Sequence, residues 1–126
     1  MPETVLAADL RFFILNNINS VVQLEGLLLL QMQPNTPFTV EDISRRLYIS
    51  EDDSRDLLSD LTERGFLAQR SKDSFIYQPR TPELQAMTER IVDAHSHHLV
   101  LLTKFIHSQP RNKVQKFADA FRIRKD

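Results

Sequence analysis

The 126-residue sequence contains no cysteine, which excludes disulfides, thiolate metal sites and cysteine nucleophiles. Glycine is almost as scarce. Gly26 and Gly65 stand alone, so no glycine-rich loop can cradle phosphate. No apolar run approaches the roughly 18 residues that span a bilayer; Leu27 to Leu30, in a helical pattern, is far shorter. Met1-Pro2-Glu3-Thr4 lacks the positive start of a signal peptide. An excess of charge of either sign is missing too: the net charge is −1, so no global field draws the chain toward nucleic acid or anionic lipid. A cytoplasmic protein with no membrane partner is the expectation. Hydrophobic residues at 41% and charged residues at 26% are ordinary for a globular chain, and the length predicts a single domain, residues 1–126.

Apolar spacing at Val5, Leu6, Leu10, Phe13 and Ile14 predicts an amphipathic helix from Thr4 to Asn16. Ser20, with Gln23 three residues on, reads as the start of a capping box. The helix that follows, to about Gln31, is apolar on most faces and should be buried. Gly26 inside it marks a close helix crossing, at a propensity cost of about 1 kcal/mol relative to alanine. Pro34 to Pro37 is a loop. Thr39, with Asp42, caps the next helix, whose buried stripe is Ile43 and Leu47 and whose outward residues are Arg45 and Arg46. Tyr48-Ile49 form a turn, and Ser50, with Asp53, caps a second helix carrying Leu57, Leu58 and Leu61. Gly65 sits where a left-handed stop is wanted. Phe66 to Gln69 and Ser74 to Gln78 read as two strands joined by Arg70-Ser71-Lys72-Asp73. Helix, turn, helix and hairpin in that order are the layout of a winged helix-turn-helix, with its core at residues 20–79.

Thr81, Pro82 and Glu83 make the strongest helix start in the chain. The predicted helix, residues 82–107, ends near Ser108. Along it Leu84, Met87, Ile91, Ala94, His98, Leu101 and Phe105 follow a 3-4 spacing for three heptads, a seam suited to pairing two subunits. In the tail, residues 110–126, Val114, Phe117, Ala118 and Phe121 predict a short amphipathic helix. It is wrapped by Arg111, Lys113, Lys116, Arg122, Arg124 and Lys125. The fold class is therefore mostly α with a small β-hairpin and a long C-terminal dimerisation helix.

Ile43 and Leu47, the turn Ile49-Ser50, Leu58 and Leu61, and Gly65-Phe66-Leu67 fall at one family's spacing without insertion. Over roughly residues 20 to 79 the chain resembles the winged helix-turn-helix transcription regulators, broadly the MarR-like and PadR-like groups. The resemblance implies a homodimer paired through the long helix after the wing. It places the second helix in the major groove of double-stranded DNA and the wing against the backbone or minor groove. On this chain the implied positions include Ser50, Arg55 and Ser59 on the helix and Arg70 and Lys72 at the hairpin.

The second helix departs from the family pattern. From Ser50 to Arg64 there are six acids and two bases, a net of −4. Affinity for DNA comes mostly from lysine and arginine neutralising phosphate, so Glu51, Asp52 and Asp53 would repel it. A single acid could accept from cytosine N4. All three also stabilise a helix N-terminus, at about 0.3–1 kcal/mol each. Compensation could come from Arg45, Arg46, Arg55, Arg70, Lys72 and Arg80, or from the basic tail. Two readings stay open: a DNA-binding regulator, and a protein-interaction module that uses the acidic helix or the tail.

His95, His97 and His98 lie close in sequence, but on a helix His97 points away from the other two, so a tetrahedral metal site is not expected. His98 on the seam is better suited to setting pairing register, or to a pH-sensitive interface. No nucleophile–base pair stands out, and no enzymatic activity or cofactor is expected. The tail suits nucleic acid, an acidic partner or anionic lipid, yet packing of its apolar face on a partner subunit or the first helix is the plainer option. Near the acidic helix of a neighbour it would find complementary charge.

Overall fold

A computed structural model describes residues 6–108. The elements run α1 (Ala8–Asn17), α2 (Val21–Met32), β1 (Phe38–Thr39), α3 (Val40–Leu47), α4 (Glu51–Glu63), β2 (Leu67–Ser71), β3 (Ser74–Tyr77), α5 (Pro82–His97) and α6 (Leu99–His107). Thr4, Val5 and the amphipathic pattern at 110–126 lie outside the described residues.

Local chemistry sets most boundaries. Ser20 accepts from the Gln23 amide, while the Gln23 side chain accepts from the Asn19 amide, one residue earlier than a standard capping box. Thr39 and Asp42 form a full capping box on α3. Ser50 and Thr81 accept from the amides three residues on and start α4 and α5. The end of α4 is a Schellman turn: Gly65 N donates to Thr62 O and Phe66 N to Leu61 O, each at 3.0 Å. Gly65 takes a φ of +96°, a conformation that only glycine adopts without strain.

The expected hairpin is there, as β2 and β3, with a register irregularity between Gln69 and Ser71. A third strand joins it, beyond the two expected. Phe38–Thr39 pairs antiparallel with Phe75–Ser74, so the sheet has three strands in the order β1-β3-β2. A strand of two residues carries no periodicity to read; burial of Phe38 against the sheet holds it in place.

The core gathers on α2. Leu24, Leu27 and Leu30 are fully buried, together with Ile14 of α1, Ile43 of α3 and Leu58 and Leu61 of α4. A Cβ at Gly26 would stand 2.6 Å from Leu57 Cδ2, which bears out the close crossing of α2 and α4. Phe13 meets Phe66 edge to face at 6.0 Å between ring centres. Across α1 and α5, Arg90 donates two hydrogen bonds to the Asp9 carboxylate, at 2.7 and 3.0 Å.

The helix expected over 82–107 is helical along that length but broken at His98, with φ −138° and ψ 46°. Ile91 and Ala94 are buried before the break. After it the buried residues are Leu102 and Ile106, one position later than the extrapolated Leu101 and Phe105. A one-residue shift turns a helical face by about 100°. So the seam is not one stripe: Ile91 and Ala94 lie in the chain's own core, whereas Leu84, Met87, His98, Leu101 and Phe105 are half-buried. No single helix among the described residues is long and apolar enough to cross a membrane; only α1 and α2 together meet that test, and they are bent by 100°.

Candidate nucleic-acid interface

The turn between α3 and α4 rests on Tyr48, which adopts the left-handed conformation (φ 58°, ψ 45°) with its ring exposed. Ser44 Oγ donates to the Ile49 carbonyl at 2.6 Å and closes the turn. This geometry buries Ser54, Leu57, Leu58 and Leu61 of α4 and turns Asp52, Arg55, Asp56, Ser59 and Glu63 to solvent. The β2–β3 hairpin rises beside the same face. An ion pair joins helix and hairpin, Arg55 Nη1 to Asp73 Oδ1, at 2.7 Å. The Asp73 hydrogen bond raises the pKa of Arg55, and the same bond lowers that of Asp73.

The sequence-predicted cations divide by what they touch. Arg45 is held by Asp42 at 2.8 Å and lies 4.0 Å from Glu41. Asp42 itself has a lowered pKa, chiefly because the Thr39 amide donates to it, with Arg45 adding to the effect. The Arg46 guanidinium lies 5.9 Å from the Phe38 ring centre, a cation–π contact. Arg55 is taken up by Asp73, and the Ser50 hydroxyl is engaged in its helix cap. Ser59, Arg70 and Lys72 are exposed, Lys72 beside Asp73 at the hairpin tip. Arg80, also named as a source of compensating charge, donates to the Thr62 carbonyl at 3.1 Å. Arg64 pairs with Asp60 at 2.9 Å and donates to the Asn16 carbonyl at 2.8 Å, so it braces α4 against α1. Glu51, Asp52 and Asp53 are all exposed.

In the sequence Asp73 is no more than hairpin connection. Its role depends on a contact across 18 positions that no local pattern announces. A second feature without a sequence signal is a groove of 390 Å³ between the start of α2 and α4, with Val22, Ile49 and Leu57 beneath Asp53, Asp56 and Asp60. Among the histidines, His97 Nδ1 lies 3.2 Å from the Asp93 carboxylate. His98 faces an open cleft with Glu89, Arg90 and Asp93. No group of three or more metal-ligating side chains converges among the described residues.

No protein-family model and no curated protein sequence matches the chain. Solved structures do. The YusO protein of Bacillus subtilis superposes with a TM-score of 0.52 at 13% identity, covering 92% of this chain and 82% of that one. The adhesin competence repressor AdcR of Streptococcus pyogenes gives a TM-score of 0.49 at 18% identity, over 90% of this chain and 87% of that one. Mostly helical, with a three-stranded antiparallel sheet whose β2–β3 hairpin forms the wing, the chain has a winged helix-turn-helix fold, the fold it shares with the YusO structure.

Proposed function

We propose that this protein is a DNA-binding transcription regulator that acts in the cytoplasm as a homodimer. Helix α4 would enter the major groove with Ser50, Arg55 and Ser59, while Arg70 and Lys72 of the hairpin, and Arg45 and Arg46 of α3, would meet backbone phosphates. The observation that carries this reading is the shared exposed face of α4 and the β2–β3 hairpin, brought side by side where Arg55 meets Asp73. A second copy would add the matching half-site about 34 Å away. For pairing, the half-buried Leu84, Met87, His98, Leu101 and Phe105 join Leu99 and Val100, which are 48% and 66% exposed. Ile91 and Ala94, already buried within the chain, would back that surface from behind.

The face is weakly suited to tight binding. Two of its cations, Arg45 and Arg55, are already neutralised by acids of the same chain, which leaves Arg46, Arg70 and Lys72 against Glu51, Asp52, Asp53 and Asp56. Modest, steeply salt-dependent affinity is the expectation. Fluorescence anisotropy with a nonspecific duplex tests it: binding at about 50 mM salt that fades by about 200 mM fits the reading, and no binding at the lower salt rejects it. Sedimentation at micromolar concentration tests the dimer, which a monomer alone would refute.

The exposed carboxylates favour a second reading, a protein-interaction module contacting its partner through Glu51, Asp52 and Asp53. Reversal of Asp52 and Asp53 to lysine should then abolish capture of that partner, and unchanged capture would remove the acidic helix from the contact.

A further inference from the structure

We infer that the groove between α2 and α4 is a docking site for the chain's own C-terminal segment, residues 110–126. The groove has an apolar floor and an acidic rim. Val22 is 40% exposed there, Ile49 is half-buried, and Leu57 lies beneath them. Asp53, Asp56 and Asp60 stand along one edge of α4 at intervals of three and four. Asp60 is engaged by Arg64 and Gln23, while no side-chain hydrogen bond or ion pair is made by Asp53 or Asp56 among the described residues.

The segment from Pro110 onward has the complementary character. Val114, Phe117 and Phe121 repeat at the same intervals of three and four, and six cations against two acids give residues 110–126 a net charge of +4. Residues 51–64, with six acids and two bases, carry −4. An apolar stripe on the floor would let Lys113 and Lys116 reach the unpaired carboxylates. A larger groove of 560 Å³ opens beside Ser108 itself, between Leu6, Leu101 and Phe105, but Arg11 and Lys104 line it and would repel a basic segment. The acidic groove is the one whose charge fits.

Docking there needs no DNA, so its test stands apart from the regulator reading. The full chain is treated with a carbodiimide that joins lysine amines directly to carboxylates, as an equal mixture of nitrogen-15-labelled and unlabelled copies. Mass spectrometry should find Lys113 or Lys116 joined to Asp53 or Asp56, within copies of one label only. The yield should fall severalfold at about 1 M salt, where the screening length is roughly 3 Å. Phe117→Asp should lower it in the same way. Val22→Ser should do so from the groove side, at a residue whose 40% exposure lets the fold tolerate the change. Absence of these cross-links overturns the proposal. Cross-links joining labelled to unlabelled copies overturn it in favour of a neighbour's tail, and yields unchanged in both variants reject the groove.

Discussion

Between Phe38 and Tyr77 both helices start on a side chain that accepts from the backbone, and α4 stops on a glycine turn. Between α5 and α6 the chain breaks with no such signal, since His98 makes no side-chain cap. In the first region Thr39, Ser50 and the Gly65 turn sit where the local hydrogen bonds need them, and the tertiary fold accepts those boundaries. In the second, the start is local, at Thr81 and Pro82, but the break answers to burial. Leu102 and Ile106 reach the core only if the face turns by one residue. Local chemistry places ends; packing decides which face turns inward.

The largest effect is expected in the core that both regions pack against. Leu58→Ala removes a fully buried side chain between α2 and α4 and should cost about 2–5 kcal/mol in denaturant unfolding. Gly65→Ala attacks a boundary set locally. It puts a side chain at φ +96° with its Cβ 3.0 Å from Leu84 Cδ1, and should cost roughly 1–2 kcal/mol in the same assay. Tyr48→Gly acts the other way. Its ring is 93% exposed and its backbone left-handed, so thermal melting should show a gain of up to about 1 kcal/mol. The smallest effect is expected at His98→Ala. If packing sets the break, stability changes by less than about 0.5 kcal/mol and backbone chemical shifts still show a non-helical residue at that position. A helix continuous through position 98 would make histidine, not packing, the cause.

These particulars explain what was legible in advance. Helix starts at Ser20, Thr39, Ser50 and Thr81, the stop at Gly65 and the crossing at Gly26 are written in residues whose chemistry acts within four positions or needs only a missing side chain. The hairpin was legible to within two residues at either strand's ends. β1 was not, because two residues show no alternation, and neither was the break at His98, because a 3-4 repeat extrapolates straight through it. At the candidate interface, the acidity of α4 was plain. What stayed hidden was that Arg55 is neutralised at home by an acid 18 positions away; the Arg45–Asp42 pair, three residues apart on one helix, follows from spacing. Ion pairs between distant exposed groups leave no periodic trace, and each is worth little to stability. Here the pair matters for the charge that it withholds.

That charge yields a direct experiment. If DNA is held through the hairpin, Arg70 and Lys72 each neutralise one phosphate. The slope of log affinity against log salt for duplex DNA should then become shallower by about 2 when both are changed to alanine. An unchanged slope, with the wild-type chain binding, would contradict the placement of the hairpin against the DNA backbone.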